Sequence, residues 1–361
     1  MNKTWLAALG CAALLPLAQA GGVLNIYNWS DYIAPDTVPA FQKATGIKVR
    51  YDVYDSNEML KGKLLTGKTG YDIVVPTHNT LGTGIKAGIF LPLDRSRIPN
   101  WKHLDPALLK LMDSFDPGNR YGVPYFWGIN TLGINVDKVQ KALGGKLPDN
   151  PWDLVFKPEV VSRLKGCGVS VFDSPSEFFS AALHYYGKNP NTENLADYQA
   201  ILPALQKLRP YYTLFSSSSY INELAGGSLC VAMGFSGDLN MARQRAQEGK
   251  NGVNISVLLP GNGLEVWLDV LAIPRDAANV AEAHAFINAM LDPKTAARNA
   301  NAVSYPPGVP AARAFMRPEL VHNRTIFPTS ADLKGSFVAK TLKPATVQGY
   351  TRLWQRFRSG R

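Results

Sequence analysis

Three pairs of an acidic and an aromatic residue, each separated by three positions or fewer, suit the binding of an organic cation. The pairs are Trp29 with Asp31, Phe235 with Asp238, and Trp267 with Asp269. A carboxylate neutralises an ammonium group, while an aromatic face covers the ammonium and its methylenes through cation–π and apolar contact. Each pair falls where a predicted strand ends or a helix begins, and such positions line the ligand crevice of open α/β sheets. One such pair is compatible with chance packing, whereas three in the same context favour a site.

Asp269 is the strongest candidate for an ammonium ligand. It lies two residues from Trp267 on a strand predicted from Val266 to Ile273, so both side chains project from one face. The other residues of this run are apolar. An acid in such surroundings needs a partner, because burying it unpaired is costly. That partner is either a cationic ligand or a Lys or Arg of the protein.

The remaining candidates have structural alternatives that the sequence leaves open. Asp238 follows a predicted strand in a turn, where the alternative is to cap the next helix. Asp31 is also suited to an Asx-turn. Glu177 follows Pro175 near a helix start, where an acid is favourable for the helix dipole alone. For the aromatic partners the alternative is core packing.

Strands and helices alternate in the segments that position these residues. Strands are predicted at 23–27, 47–53 and 71–75, and helices at 36–44 and 58–65. This order predicts right-handed βαβ units in a doubly wound α/β sheet. A Gly-, Pro- and aromatic-rich stretch from Tyr121 to Val136 indicates a crossing between two domains. Further helices are predicted at 177–186, 195–208 and 281–291, a strand at 253–259, and several short elements after Tyr305.

The N-terminus has the features of a secretory signal peptide at residues 1–20. Lys3 precedes an apolar run that is too short to span a bilayer, and Ala18-Gln19-Ala20 forms a cleavage site before Gly21. Cleavage leaves a soluble, exported chain of 341 residues, enough for two domains, and lowers the net charge from +10 to +9. The basic residues are scattered and form no recognition motif, so no nucleic-acid partner is expected.

Cys167 and Cys230 remain after cleavage, and an even number of cysteines in an exported protein favours a disulfide. Each precedes a short β-like run, so a bridge would join two neighbouring strands that lead to Glu177 and Asp238. Two separate buried thiols are the alternative.

Several segments in this order resemble the periplasmic polyamine-binding proteins of bacterial ABC importers, particularly the putrescine and spermidine binders. The segments that carry the resemblance are Ile26-Tyr27-Asn28-Trp29-Ser30-Asp31-Tyr32-Ile33, Tyr71-Asp72-Ile73-Val74-Val75-Pro76, Leu104-Asp105-Pro106, Val136-Asp137-Lys138-Val139, Asp173-Ser174-Pro175-Ser176-Glu177, Cys230-Val231-Ala232 and Gly237-Asp238. The likeness covers essentially the whole mature chain.

The resemblance implies a two-lobed periplasmic binding protein fold of type II, with a ligand cleft that closes between the lobes. It implies that residues 21–126 with about 258–300 form lobe 1, and that about 127–257 with about 301–361 form lobe 2. The site residues implied by matching positions are Trp29, Ser30, Asp31, Tyr32, Thr77, Glu177, Phe235, Asp238, Trp267, Asp269 and Tyr305. The expected partners are a polyamine and an inner-membrane ABC permease, and the protein is expected to be a periplasmic monomer.

Two positions depart from the pattern of the family and concern the choice of amine. Phe235 stands where relatives often have Trp, and Trp267 stands where putrescine binders tend to have Phe. The loop Thr77-His78-Asn79-Thr80 differs from the commoner Ser-Ala-Ser type. Four candidate acids exceed what a diamine needs if all line the cleft, but one ammonium could use two of them. Polyamines in general are expected, and Trp267 favours spermidine slightly over putrescine.

Other functions have weaker support in the sequence. There is no H-E-x-x-H, G-x-S-x-G or P-loop motif, and the five histidines lack metal-ligand spacing, so neither enzymatic activity nor a metal or other cofactor is expected. A carboxylate-dependent hydrolase stays formally possible from the acids alone. Another small cation, or ferric iron bound by phenolates of Tyr185-Tyr186 or Tyr211-Tyr212, is the binding-protein alternative.

Overall fold

The computed structural model describes residues 22–360. The predicted signal peptide therefore lies outside the described residues. The strands are β1 (Val23–Trp29), β2 (Lys48–Tyr54), β3 (Ile73–Val74), β4 (Gly122–Asn135), β5 (Val169–Val171), β6 (Leu214–Phe215), β7 (Val231–Phe235), β8 (Ile255–Val257), β9 (Glu265–Ala272) and β10 (Phe337–Val338). The helices are α1 (Thr37–Thr45), α2 (Asn57–Leu64), α3 (His78–Lys86), α4 (Pro106–Met112), α5 (Val136–Leu143), α6 (Asp153–Phe156), α7 (Pro158–Leu164), α8 (Pro175–Tyr185), α9 (Leu195–Leu208), α10 (Tyr220–Ala225), α11 (Ser236–Glu248), α12 (Val280–Met290), α13 (Pro293–Val303), α14 (Pro318–Val321) and α15 (Pro344–Ser359).

The N-terminal part is built from the predicted βαβ units. β1 runs parallel to β2 and to β3, and α1 and α2 form the two connections. Helix α1 ends at Gly46, which adopts φ of 73° and donates its backbone N–H to the carbonyl of Gln42. A left-handed residue at this position is easiest for glycine, as the sequence predicts.

Strand β4 connects two parts of the sheet. Residues Gly122–Ile129 pair antiparallel with β9, and residues Asn130–Ile134 pair antiparallel with β7. The sheet follows the order β2-β1-β3-β9-β4-β7-β5-β6, with β10 beside β9 and β8 beside β4. One strand of 14 residues thus pairs with β9 along its first half and with β7 along its second half. The assignment of residues to two lobes stays a prediction.

The buried apolar side chains of the described residues form two hydrophobic cores. The first contains side chains of β1, β3 and β9, and it also includes Leu239 of α11 and residues up to Ile326. The second contains side chains of β5, α8, α9 and α15. Among the described residues, no helix combines the length and the apolar character needed to cross a membrane.

The C-terminal tail differs from the sequence prediction in one respect. Short elements do follow Tyr305, but α15 is 16 residues long and begins with Pro344 at its first turn, where the missing N–H costs no hydrogen bond. Its apolar side chains Tyr350, Leu353, Trp354 and Phe357 recur at helical spacing and are buried in the second core. Arg352, Arg356 and Arg358 occupy exposed positions of this helix.

The predicted disulfide is present. Cys167 and Cys230 are bonded, with their Cα atoms 5.4 Å apart. Their strands β5 and β7 are parallel neighbours, and Val169 pairs with Val231. The bridge therefore fixes the two strands whose far ends lead into α8 and α11.

Candidate functional site

A single cavity of about 430 Å³ gathers most of the residues that the sequence singles out. The predicted residues that line it are Trp29, Ser30, Tyr32, Thr77, Glu177, Phe235, Asp238, Trp267, Asp269 and Tyr305. They come from the ends of β1, β3 and β7, from the face of β9, and from the first turns of α8 and α11. This is the arrangement expected of a crevice in an α/β sheet.

Asp269 lies in the middle of β9 and is 4% exposed. Its carboxylate accepts hydrogen bonds from the Tyr32 hydroxyl (2.9 Å) and from Thr77 Oγ1 (2.7 Å). Burial raises the pKa of Asp269 to about 7, against the lowering effect of these two donors. The alternative of a protein cation is wrong, because among the described residues no Lys or Arg forms an ion pair with Asp269.

Asp238 occupies the first turn of α11 rather than a turn before it, and is 8% exposed. Its two oxygens accept from the hydroxyls of Tyr305 (2.6 Å) and Tyr220 (2.7 Å). Burial raises its pKa to about 7. Burial and the Asp238 charge raise the pKa values of both tyrosines well above the ordinary value, so they remain protonated donors. Asp238 is not the N-cap, since Phe235 holds that position.

Glu177 lies in the first turn of α8 and is connected to Asp269 through two polar side chains. Its Oε1 accepts from Asn57 Nδ2 (3.3 Å), and Asn57 Nδ2 also donates to Thr77 Oγ1 (3.1 Å). Its Oε2 accepts from the hydroxyl of Ser176 (2.8 Å) and from that of Ser174. The charge of Glu177 contributes to the raised pKa of Asp269, so the acids of the cavity act on one another.

Aromatic side chains form a continuous wall beside these acids. We call Trp29, Phe235, Trp267 and Tyr305 the aromatic wall. Consecutive ring centroids are 6.2 Å apart for Trp29 and Phe235, 5.7 Å for Phe235 and Trp267, and 5.2 Å for Trp267 and Tyr305, all with edge-to-face geometry. Trp29 is fixed by a hydrogen bond of 2.9 Å from its Nε1 to the Val75 carbonyl.

Gly237 allows the wall to reach Asp238. A Cβ at this position would lie 2.4 Å from the ring of Tyr305. With glycine, the ring packs on the first turn of α11, and its hydroxyl reaches both the carboxylate and the backbone N–H of Asp238. The Gly-Asp pair that the sequence analysis singles out thus has a steric reason.

The structure does not bring Asp31 into the cavity. Asp31 has a φ of 52°, is exposed, and forms an ion pair of 2.8 Å with Arg245 of α11. Its neighbour Ser30 lines the cavity, and the Ser30 hydroxyl donates to Asp55 (2.6 Å). The segment after β1 therefore contributes Trp29, Ser30 and Tyr32 to the cavity, while Asp31 contacts the facing helix.

Three residues of the site are absent from the sequence predictions. Glu265, the first residue of β9, lines the cavity, and Tyr220 and Asn57 hold the carboxylates described above. Glu265 has a signal in the sequence: it lies two residues before Trp267, so the alternation that selects Asp269 also selects Glu265 once the strand begins one residue earlier. Tyr220 and Asn57 have no local signal, because each meets its acid only in the fold.

The site is chemically suited to hold a cation. Asp238, Asp269, Glu177 and Glu265 surround the cavity, and among the described residues none of them is paired with a Lys or Arg. Buried carboxylates need a counterion or a proton. No group of three or more His, Cys, Asp or Glu side chains within residues 22–360 is arranged to hold a metal ion. Tyr185, considered as an iron ligand, donates its hydroxyl to Asp153 (2.9 Å).

Comparison with known proteins gives the same picture over the whole chain. The family model of the bacterial extracellular solute-binding proteins matches residues 36–329. The chain is 45% identical to the putrescine-binding periplasmic protein SpuD of Pseudomonas aeruginosa, over 100% of this chain and 99% of SpuD. It is 46% identical to the putrescine-binding periplasmic protein PotF of Escherichia coli, again over 100% of this chain and 99% of the relative.

A solved structure confirms the predicted two-lobed α/β fold of the type II binding proteins. The spermidine/putrescine ABC transporter substrate-binding protein PotD of Streptococcus pneumoniae superposes with a TM-score of 0.73 at 28% identity. The match covers 94% of this chain and 99% of PotD.

Proposed function

The chain belongs to the family of bacterial extracellular solute-binding proteins, and on that premise we propose that it is the polyamine-binding component of an ABC importer. The observation that carries this proposal is the set of four buried carboxylates around one cavity that, among the described residues, have no protein cation as partner. A polyamine supplies the missing positive charges, and its methylenes suit the aromatic wall. The names of the related proteins support the same class of ligand.

Two acids are proposed to carry the two ammonium groups of a diamine. Each of Asp238 and Asp269 accepts two hydroxyl hydrogen bonds and keeps lone pairs free for a charged donor. Charge-assisted hydrogen bonds are about twice as strong as neutral ones, and they replace the hydration that the ammonium loses. Glu177 is proposed to complete the negative field between the two.

The aromatic wall is proposed to cover the methylene chain. Trp267 shares the inner face of β9 with Asp269, so its ring lies beside an ammonium held by that carboxylate. Cation–π and apolar contact of this kind contribute roughly 0.5–2 kcal/mol when the cation is desolvated. A longer amine covers more of the ring than a short one, which favours spermidine over putrescine.

Binding is proposed to close a cleft between lobe 1 (residues 21–126 with about 258–300) and lobe 2 (about 127–257 with about 301–361). On this division Asp269 and Thr77 belong to lobe 1, and Asp238 and Glu177 belong to lobe 2. A ligand drives closure only through contacts that it gains in the closed state. The ion pair of Asp31 and Arg245 joins the same two proposed lobes. We therefore propose that Asp31 stabilises the closed form of the protein and does not contact the amine.

The protein is proposed to work as a monomer in the periplasm and to deliver the amine to an inner-membrane ABC permease. Export follows from the signal peptide predicted at residues 1–20. No catalytic activity is proposed, because the acids of the cavity are arranged with hydroxyl donors and aromatic rings and serve binding.

Calorimetric titration with putrescine, cadaverine, spermidine and spermine tests the proposal, with butane-1,4-diol as a neutral control of putrescine-like length. We expect saturable binding of at least one amine with one ligand per chain, and no binding of the diol. Small-angle scattering at saturation should show a smaller radius of gyration. Absence of binding for all four amines contradicts the proposed function, whereas binding without compaction contradicts only the closure.

A further inference from the structure

Glu265 is a buried acid that the two-ended account of diamine binding does not use. It is 7% exposed and lines the same cavity as Asp269. Its Oε2 accepts from Asn130 Nδ2 (3.0 Å) and from the Ser180 hydroxyl. The amide oxygen of Asn130 is buried and has no hydrogen-bond partner in the structure. The Glu265 carboxylate thus accepts only two hydrogen bonds and Asn130 Oδ1 accepts none, so both can accept from a further donor such as an ammonium.

The position of Glu265 along β9 sets its distance from Asp269. Residues 265, 267 and 269 share one face of the strand, so Trp267 lies between the two acids. At roughly 3.3 Å per residue, four residues place the two Cα atoms about 13 Å apart. The distance between Asp269 and Glu265 along the strand is therefore comparable to the length of an extended polyamine.

Chain lengths decide which amine can use this spacing. An extended backbone advances 3.3–3.6 Å over three bonds, which corresponds to about 1.2 Å per bond. The five bonds between the nitrogens of putrescine then span about 6 Å, and the nine bonds between the outer nitrogens of spermidine span about 11 Å. Each ammonium nitrogen also lies about 2.8 Å from the oxygen it contacts. Extended putrescine therefore joins carboxylate oxygens about 12 Å apart, which falls short of a spacing of about 13 Å, whereas spermidine joins oxygens up to about 17 Å apart.

Glu177 lies close enough to Asp269 and Glu265 for its negative charge to act on both. Its charge contributes to the raised pKa of both Asp269 and Glu265. It lies one helical turn before Ser180, the hydroxyl donor of Glu265. Burial and Glu177 raise the pKa of Glu265 to about 8, so this acid needs an adjacent cation to be ionised at neutral pH. Phe179, Tyr198 and Tyr350 line the same cavity, and the charges of Glu177 and Glu265 contribute to the raised pKa of Tyr350.

We propose that Glu265, with Ser180 and Asn130, forms a third carboxylate subsite that holds the outer ammonium of a triamine and makes the protein select triamines over diamines. This inference rests on the proposed function, because it names the length of the amine bound in the same cavity. The proposed role of Glu265 differs from that of Trp267: Glu265 would select the longer amine through a charged contact, whereas Trp267 would do so through apolar contact with the methylenes.

The test is a set of calorimetric titrations of wild type and Glu265→Gln with putrescine and spermidine. The side-chain oxygen of glutamine can accept from the Ser180 hydroxyl and from Asn130 Nδ2, and its amide N–H can donate to Asn130 Oδ1, so the variant is expected to fold. We expect E265Q to weaken spermidine at least tenfold and to leave putrescine within threefold of wild type. E265D, which keeps the charge on a shorter side chain, should lose less spermidine affinity than E265Q.

Glu58→Gln is the matched control. Glu58 is a half-buried acid that faces Ser176 (3.0 Å) near Glu177, yet it does not line the cavity. E58Q should leave the ratio of the two affinities unchanged. A ratio that shifts as much in E58Q as in E265Q shows a response to overall negative charge and overturns the subsite.

The outcomes separate this inference from the function on which it rests. Equal losses for both amines in folded E265Q, or no loss for either, overturn the third subsite while leaving polyamine binding in place. A wild-type protein that binds neither amine overturns the proposed function. Should E265Q fail to fold, E265D replaces it in the same titrations: a spermidine affinity at least threefold below wild type with an unchanged putrescine affinity supports the subsite, and equal changes for both amines overturn it.

Discussion

Replacement of Asp269 by asparagine should separate the binding role of this acid from any role in stability. Asp269 is buried, accepts from Tyr32 and Thr77, and has no protein cation beside it in the described part of the chain. Asparagine has the same shape and can accept from one hydroxyl while donating to the other. The change therefore removes the negative charge and little else.

The expected loss of affinity follows from the desolvation of the carboxylate. Removing one partner of a buried, hydrogen-bonded charge pair costs about 2–5 kcal/mol, which corresponds to roughly 30-fold to several thousandfold in affinity. With a pKa of about 7, Asp269 is half protonated at pH 7 before the ligand binds, which lowers wild-type affinity about twofold. A loss of at least tenfold in calorimetric affinity for the preferred amine is therefore expected, without a fall in the melting temperature of the ligand-free protein.

Asp72→Asn is the matched control for a buried aspartate with a structural role. Asp72 is fully buried and accepts from the backbone N–H groups of Asn25 (2.8 Å), Ala278 (3.0 Å) and Asn279 (2.8 Å). Backbone amides cannot accept from the Nδ2 that asparagine introduces, so D72N should lower the melting temperature and leave amine affinity within about threefold. If folded D269N keeps wild-type affinity, the assignment of Asp269 as an ammonium ligand is refuted.

Four further results are expected. Because Asp238 and Asp269 each have a pKa of about 7, both are protonated in the ligand-free protein at pH 5.5, and each must release its proton to bind an ammonium, which costs about 2 kcal/mol per acid. Calorimetry should therefore show weaker amine binding at pH 5.5 than at pH 8, and equal affinity at both pH values contradicts this. The pKa values of these two acids are higher in the folded protein than in the unfolded chain, so their contribution to the stability of the ligand-free fold is present at low pH and is lost as the pH rises through 7. An amine compensates the charges that form, so it should raise the melting temperature more at pH 8 than at pH 5.5. Trp267→Phe should weaken spermidine more than putrescine in the same titrations, and equal losses remove the length-tuning role. Exported protein should have the intact mass of residues 21–361 with two hydrogens fewer than the dithiol form, and alkylation of two thiols without reductant contradicts the Cys167–Cys230 bridge.

Local patterns were sufficient to predict the elements that hold the cavity. The alternation in β9 places Trp267 and Asp269 on one face, and the strand-to-helix turns place Glu177 and Asp238 in first turns. These features depend only on the periods of strands and helices, which neighbouring residues determine. The cysteine pairing was also predictable, since only two cysteines lie beyond the predicted signal peptide.

Contacts between distant segments were not predictable in this way. Asp31 has the residue type and context of a ligand, but its φ of 52° and its ion pair with Arg245, 214 positions away, place it outside the cavity. Tyr220 and Asn57 hold Asp238 and Glu177 through contacts that no local pattern records. Glu265 was within reach of the alternation rule, and a strand start placed one residue late concealed it.

A crystal structure of the protein with spermidine bound tests the central claim most directly. The account predicts one amine in the cavity, with ammonium nitrogens within hydrogen-bond distance of Asp238 and Asp269 and with the methylenes against Trp267. A bound amine that contacts neither of these carboxylates, or an amine bound outside the cavity, would contradict the account.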